Sequence, residues 1–268
     1  MTPRDRVRAG LAEAIDGAAP GLMTADRLCR ACVELLGVDG AAISLVMSGL
    51  AWGTFGSSGE LSRRLDEYQF TYGEGPCLDS ARLGVPVLVA DFRAPGESRW
   101  PGYAEAVLAE GVRAVYALPI AVDRVYVGAL DLFRHRPGPL GGDGLGGGLV
   151  AAELAALPLL DLVAAEQVQE YSVARNPVPD VAGEVGPPDP SARLEVYQAT
   201  GMVMIQLGVS ADEALVRLRG HAIAHGQTAS EVAWAIIERR LHLPHDGPGA
   251  AGPGPDNSDP GPPEKAST

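Results

Sequence analysis

Residues 191–243 read SARLEVYQATGMVMIQLGVSADEALVRLRGHAIAHGQTASEVAWAIIERRLHL, and this stretch is divided into three short helical segments. Ser210 is followed three residues later by Glu213, and Thr228 is followed by Glu231, which is the spacing of two capping boxes. A glycine or proline stands where each helix is expected to end. The pattern predicts three helices, over residues 191–207, 211–225 and 229–242.

Segments rich in proline and glycine flank this three-helix module, which we place at residues 191–245. Residues 172–190 carry no helical or strand periodicity and are expected to be a linker. Residues 246–268 consist largely of proline, glycine, aspartate and serine, a composition typical of a disordered tail. The chain is therefore expected to contain two modules.

The first module, residues 22–171, is predicted to have an α+β fold. A short helical pattern over residues 1–21 precedes it as an N-terminal extension. The order that follows is helix, hairpin, helices, strand, helix, hairpin, helix, which favours an antiparallel sheet with flanking helices over a doubly wound parallel sheet. We expect Thr24 to cap the first helix of the module, residues 135–148 to form a flexible loop, and Pro158 to kink or divide the last helix.

Composition limits the function classes. The 268 residues carry a net charge of −13, which argues against a wide basic surface for nucleic acid. Residues 191–245 contain five arginines and five carboxylates, so the three-helix module is formally neutral. No apolar run is long enough for a membrane span, and the N-terminus lacks the apolar core of a signal peptide, so we expect a cytoplasmic protein without membrane contact.

No catalytic or metal-binding constellation stands out. Cys29 and Cys32 form a C-x-x-C pair on a helical apolar face, and no second pair completes a zinc site. Together with Cys77 they are expected to pack in the core of a protein from a reducing compartment. The glycine run at residues 141–148 has no Walker lysine. The chain is therefore predicted not to be an enzyme, and the sequence leaves the question of a cofactor open.

Bulky residues near loops of the first module could line a pocket for a small-molecule ligand. The alternative, equally open at this point, is that they are ordinary core and loop anchors. The pocket candidates are Trp52, Phe55, Tyr72, Cys77, Trp100 and Tyr116.

Several separated motifs resemble known regulatory families. GEGPCLD at 73–79, PVLVAD at 86–91, RWP at 99–101, GVRAV at 111–115 and GALDL at 128–132 resemble the GAF domains of actinobacterial regulators over roughly residues 22–166. QATGMVM at 198–204, SADEAL at 210–215, LR at 218–219 and VA at 232–233 resemble the ANTAR domain. The resemblance implies a GAF-type sheet followed by an all-α ANTAR-type module, in a regulator whose sensor controls RNA binding and transcription antitermination.

Two departures from these families affect the expected chemistry. The cyclic-nucleotide signature of phosphodiesterase GAF domains, Asn-Lys-x-Phe-Asp-Glu, is absent, so a cyclic-nucleotide ligand does not follow. Thr200 stands where ANTAR domains usually have lysine, and Ile205-Gln206 where charged residues usually follow. The helix expected near RNA therefore carries less positive charge than is usual for the family.

Helical periodicity leaves a set of polar residues of the three-helix module at or near solvent, where they could contact phosphate or splayed bases. These RNA-binding candidates are Arg193, Arg217, Arg219, His221, His225, Gln227 and Arg239. The first hypothesis is an antiterminator that binds RNA with paired stem-loops as a homodimer. The second is a ligand sensor whose helical module docks a protein partner, with the apolar residues from Met202 to Leu207 as the contact surface. An enzyme and a sequence-specific DNA binder are less well supported.

Overall fold

A computed structural model describes residues 3–17, 21–47, 50–175 and 193–244. The predicted tail and most of the predicted linker lie outside the described residues, as does the turn at residues 48–49. The helices and strands are α1 (Pro3–Ile15), α2 (Leu22–Leu36), β1 (Gly40–Met47), β2 (Leu50–Ser57), α3 (Glu60–Tyr72), α4 (Pro76–Leu83), β3 (Val87–Val89), α5 (Pro101–Ala109), β4 (Ala114–Val122), β5 (Val125–Arg134), α6 (Gly142–Arg175), α7 (Leu194–Leu207), α8 (Ala211–Ala224) and α9 (Ala229–Ile237).

The five strands form one antiparallel sheet in the order β2-β1-β5-β4-β3. This confirms the predicted α+β class for the first module. The β4–β5 hairpin turns at Asp123, whose φ of 56° lies in the left-handed region. No helix in the described part of the chain is long and apolar enough to cross a membrane.

Side chains alternate across the sheet and form two different surfaces. Ile43 and Leu45 of β1 pack with Leu130 of β5 against α2 and α6, in an apolar core. On the opposite face, Ser44 of β1 and Asp131 of β5 are buried under α3 and α4. The sheet therefore has one wholly apolar face and one face with polar groups at its centre.

The glycine run at residues 141–148 is not a flexible loop, and that expectation is wrong. Helix α6 begins at Gly142 and contains five glycines of the run. A Cβ at Gly147 would overlap the side chains of Leu36 and Val7, and one at Gly148 would meet Leu118 and Leu132. The glycines thus allow α6 to approach α1, α2 and the sheet closely.

Three further expectations about helix limits need correction. Thr24 does not cap α2, because the helix begins at Leu22 and Thr24 is buried inside it. Pro158 does not divide α6, which continues as one helix to Arg175. Helix α9 ends at Ile237 instead of residue 242, and Arg239 follows in a left-handed conformation with φ 57°.

The three-helix module has an apolar core built from Val203 of α7, Leu218 of α8 and Val232 of α9 among others, and this core is continuous with Phe70 and Leu78 of the first module. Ser210 accepts a hydrogen bond from the Glu213 amide, and Thr228 and Glu231 form a complete capping box, as predicted. The module packs against α3 of the first module through α8 and α9. Helix α3 therefore lies between the sheet and the three-helix module.

Replacing Gly147 by alanine is expected to destabilise the chain relative to replacing Gly146. Both glycines lie in the first turns of α6, but a Cβ at Gly146 meets nothing within 4 Å. Alanine at Gly146 should gain about 1 kcal/mol of helix propensity, whereas Gly147→Ala should lose about 1–3 kcal/mol to overpacking. Urea unfolding of the two full-length variants checks this. Equal unfolding midpoints would contradict the close approach of α6 to α1 and α2 at Gly147.

Candidate nucleic-acid interface and its contact with the sheet module

The seven predicted RNA-binding residues fall into two groups. Arg217 and His221 of α8 are partly exposed, and His225, Gln227 and Arg239 are exposed. Arg193 and Arg219 instead contact α3 of the first module. The structure therefore does not bring all seven together on one free face.

One face of α8 carries a cation beside two stacked imidazoles. The Arg217 guanidinium bonds to Glu213 one turn earlier, with an Nη2–Oε1 distance of 2.8 Å. The rings of His221 and His225 are parallel within 24°, with centroids 4.0 Å apart. Burial and the neighbouring His225 lower the pKa of His221, so its neutral form is favoured near pH 7. This face can offer hydrogen bonds and ring surfaces.

A shallow cleft of about 250 Å³ opens at this face, lined by Arg217, His221, Leu243 and Pro244. It exists because α9 ends early. After Arg239 the chain turns back, and the amide of Leu241 bonds to the Ala235 carbonyl. The side-chain amide of Gln206 then holds the Leu243 carbonyl at 2.8 Å. Because the sequence predicted helix as far as residue 242, it missed Leu243 and Pro244 as lining residues.

Arg193 lies in a buried ion pair, so the prediction that it is near solvent is wrong. Only 5% of the residue is exposed, and its Nη2 donates to Asp66 Oδ2 at 2.9 Å. Its Nη1 donates to Glu67 at 3.3 Å, and the guanidinium lies 4.5 Å from the centroid of the Phe70 ring. All three partners belong to α3.

Arg219 also packs on α3. Its guanidinium lies 4.3 Å from the centroid of the Phe70 ring. Burial and the charge of Arg193 lower the pKa of Arg219. Close by, the backbone amide of Ala229 at the start of α9 donates to Thr71 Oγ1 at 2.9 Å. The contact between the modules therefore includes the ion pairs of Arg193, two cation–π contacts, a backbone-to-side-chain hydrogen bond and a shared cluster of buried apolar side chains.

This contact changes the charge that the module offers to a polyanion. With Arg193 and Arg219 held against α3, three arginines remain on its other surfaces. The same described stretch contains five carboxylates, namely Glu195, Asp212, Glu213, Glu231 and Glu238. The docked module is thus formally negative outside the contact.

The carboxylate of Asp66 is the centre of a buried polar cluster, which we define as Ser44, Thr54, Asp66, Gln69, Asp131 and Arg193. Asp66 is 1% exposed and accepts hydrogen bonds from the hydroxyls of Ser44 and Thr54 in addition to Arg193. Donors from β1, from β2 and from the residue that precedes α7 converge on one carboxylate. This satisfies a charge that would otherwise be costly to bury.

Asp131 is the second carboxylate of the polar cluster. Its Oδ2 accepts from Gln69 Nε2 at 2.6 Å, while its Oδ1 is buried with no hydrogen-bond partner. Burial and the nearby charge of Asp66 raise the pKa of Asp131 to about 8. Asp131 is therefore mainly protonated at neutral pH, and the cluster carries one negative charge opposite Arg193.

The predicted aromatic pocket is not formed, because its residues lie on different faces of the sheet. Phe55 and Tyr116 are in the apolar core under α2 and α6. Cys77 and Trp100 are buried on the opposite face, in the cores around α4 and α5. Tyr72 is half-buried with its ring against Tyr68. The side chain of Trp52 lies outside the described residues.

The string at residues 73–79 joins α3, α4 and α5. The Glu74 carboxylate accepts from the amides of Gly102 and Tyr103 and so caps α5. Gly75, with φ 147°, leaves room for Gln69, whose side-chain oxygen accepts from the Cys77 amide at the start of α4. These contacts explain the motif as a structural junction. The same glutamine holds Asp131, so the junction also orients the polar cluster.

The cysteines pack in the core, as predicted. Cys29, Cys32 and Cys77 are all buried. Burial raises the pKa of Cys32 to about 12. Within the described ranges there is no group of three or more histidine, cysteine or acidic side chains that could hold a metal ion.

Two domain families match the two parts of the chain. Residues 22–146 match the GAF domain, and residues 191–237 match the ANTAR domain. The chain therefore has a GAF-plus-ANTAR architecture. Both are regulatory, non-catalytic domain types, which is consistent with a signal-responsive regulator.

Several solved structures resemble the first module. The GAF domain of a phosphoenolpyruvate-protein phosphotransferase from Coxiella burnetii is 16% identical, with a TM-score of 0.49, covering 62% of this chain and 97% of that one. The corresponding domain from Acinetobacter is 12% identical, with a TM-score of 0.48 and coverages of 62% and 99%. A domain of a two-component sensor histidine kinase protein from Sinorhizobium meliloti is 18% identical, with a TM-score of 0.41 and coverages of 53% and 92%. No curated protein matches the chain.

Replacing Arg193 by alanine is expected to lower the free energy of unfolding by about 3–5 kcal/mol, because Asp66 would remain buried without its cation. Arg240→Ala is the matched control, since Arg240 is exposed and pairs with Glu238 on the surface. That control should cost no more than about 0.5 kcal/mol. Denaturant unfolding of both variants tests the difference. Similar losses would show that the buried pair does not contribute as described.

Asp131 should contribute a loss of stability as pH rises from about 4 towards 8. The native state holds a proton on Asp131 up to pH about 8, whereas the unfolded chain releases it near pH 4. Between these values the native state binds more protons, so raising the pH favours unfolding. Asp131→Asn should remove this contribution, on the order of 1 kcal/mol per pH unit. Unfolding midpoints at pH 5 and pH 8 measure it, and an unchanged pH slope in the variant would contradict the assignment.

Proposed function

We propose that this protein is a GAF-ANTAR regulator of actinobacterial type that binds RNA stem-loops through its C-terminal module and thereby causes transcription antitermination. The ANTAR match over residues 191–237 carries the proposal. The motif strings of both modules support the assignment to this regulator type. The GAF module would act as the sensor that controls RNA binding.

The cleft on α8 supports an interaction with unpaired bases. Arg217 and His221 supply hydrogen-bonding groups at its edge, and Leu243 and Pro244 supply an apolar wall. His225 adds a stacked ring beside His221. Protein recognition of RNA loops commonly combines such stacking and hydrogen bonding with splayed bases. Gln227 and Arg239 are exposed and remain candidates for contacts to the backbone.

Docking on α3 and RNA binding would compete. Docking holds Arg193 and Arg219 against Phe70, away from a polyanion. Release would return both arginines to the module and balance its five carboxylates. RNA would therefore bind the released module more tightly, and by linkage RNA binding would favour release.

Two modules acting together would compensate for the low charge of one. A formally neutral module gains little from nonspecific phosphate attraction. In a homodimer, the second module would bind its stem-loop at a high effective concentration. We therefore propose RNA with paired stem-loops as the target of a dimer.

A protein partner instead of RNA is the second candidate, and exposed apolar side chains on the module favour it. Ile205 of α7 is 88% exposed, and Trp234 of α9 is 52% exposed. Leu207 is buried and Met202 and Met204 are partly buried, so most of the apolar residues considered for this role belong to the core. Crosslinking in cells separates the candidates, because recovered RNA supports the first and one recovered protein supports the second.

Replacing Arg217 by alanine should weaken binding of a two-stem-loop leader RNA about tenfold, because one base or phosphate contact contributes on the order of 1–3 kcal/mol. Adding His221→Ala should weaken it further. Arg82→Ala is the matched control, since the exposed Arg82 side chain pairs with Asp79 within α4 of the GAF module much as Arg217 pairs with Glu213 within α8. Fluorescence anisotropy at fixed salt measures the affinities. Unchanged binding by the double variant would reject this face as the RNA surface.

A further inference from the structure

The buried polar cluster has the composition of a cation-binding site. Asp66 is 1% exposed, and its two oxygens accept from Ser44, Thr54 and Arg193. The hydroxyls come from β1 and β2 of the GAF module, whereas the guanidinium comes from the chain just before α7. The GAF module thus provides an anionic site, and the other module provides the group that occupies it.

The fit of Arg193 to this site is incomplete. Its Nε is buried with no hydrogen-bond partner, and Asp131 Oδ1 is likewise buried without one. The whole Asp131 residue is only 6% exposed. Two buried polar atoms without a hydrogen-bond partner therefore remain in one cluster. A cation not tied to the backbone of residue 193 could orient its N–H groups towards the Asp66 carboxylate and an oxygen of the Asp131 side chain.

The edge of the site at the contact between the modules is partly exposed to solvent. Glu67, the second partner of the Arg193 guanidinium, has a side chain that is 23% exposed, although Asp66 beneath it is fully buried. Phe70 covers the cluster from the side and contacts the guanidinium with its ring face. A carboxylate rim and an aromatic face are both suited to admit an organic cation.

We propose that the polar cluster of Ser44, Thr54, Asp66, Gln69 and Asp131 is a binding site for a small organic cation of the guanidinium or ammonium class, and that Arg193 is its built-in occupant. A free cation that takes this site displaces Arg193 and releases the three-helix module from α3. Two of the remaining polar contacts, Arg219 on Phe70 and the Ala229 amide on Thr71, do not involve Asp66, and each is weaker than the buried ion pair. The inference uses the proposed function only in taking the module as the output.

The first test uses ethylguanidinium, which matches the atoms removed in Arg193→Ala beyond the β-carbon. In the full-length variant, millimolar ethylguanidinium is expected to raise the thermal unfolding midpoint and to increase the hydrogen-exchange protection of the Ala229 amide. The double variant Arg193→Ala with Asp66→Asn should show neither effect. Arg240→Ala controls for nonspecific effects of the salt. Absence of a specific effect in Arg193→Ala would overturn the cation site.

The second test asks whether a cation displaces the native side chain. Ethylguanidinium and agmatine are expected to accelerate exchange of the Ala229 amide in the wild-type protein, at concentrations at least tenfold higher than those that bind Arg193→Ala. Arg193→Lys retains the charge but has fewer donors in a different geometry, so it should be displaced at a severalfold lower concentration than arginine. No acceleration in the wild type, or equal concentrations for arginine and lysine, would overturn displacement.

Neither test contains RNA, so each stands apart from the proposed function. RNA affinity measured with and without agmatine is a separate step. If agmatine opens the contact but leaves RNA affinity unchanged, the cation site stands and the role of the released module in RNA binding is rejected.

Discussion

The ion pair between Arg193 and Asp66 is the contact on which the arrangement of the two modules depends. A carboxylate with 1% exposure is costly to bury, and it is retained here because a guanidinium and two hydroxyls converge on it. Such a pair contributes less to net stability than to specificity, since any other placement of α7 would leave one charge buried and unpaired. The pair therefore fixes where the ANTAR module sits on the GAF module.

The rest of the fold supports this contact from both sides. Glycines at the start of α6 let the helices close over the apolar face of the sheet, which leaves the other face for α3 and the polar cluster. The junction at residues 73–79 positions Gln69, and Gln69 in turn holds Asp131. Helix α3 thus presents Asp66 to the sheet and Phe70 to the ANTAR module. Phe70 directly follows Gln69 of the polar cluster and contacts Arg219 of the ANTAR module. A change in the polar cluster can therefore reach the ANTAR module through Phe70.

Much of the fold could be predicted from local sequence signals. Capping boxes, terminal glycines and alternating strands identified the three-helix module and the antiparallel sheet, because these signals act within a few residues. The glycine run in the first turns of α6 misled the prediction, since only the packed neighbours Leu36 and Leu118 explain glycine inside a helix. The end of α9 was also missed, because the turn at Arg239 is stabilised by tertiary contacts of Leu243.

The candidate site was only partly predictable for a similar reason. Periodicity shows which side of a helix is polar, and it correctly left Arg217 and His221 accessible. It cannot show that Arg193 pairs with a carboxylate 127 residues earlier in the chain. Periodicity also cannot show whether side chains from distant segments lie on the same face of the sheet. For this reason the sequence assigned Phe55 and Cys77 to one pocket, although they lie on opposite faces.

Hydrogen exchange of the full-length wild-type protein, measured while a two-stem-loop RNA is added, tests most directly whether the docked module must leave α3 to bind RNA. The structure predicts that RNA slows exchange along α8, while the Ala229 amide and residues 66–71 exchange faster as their contact opens. Protection of α8 with unchanged exchange at Ala229 and residues 66–71 would contradict this coupling.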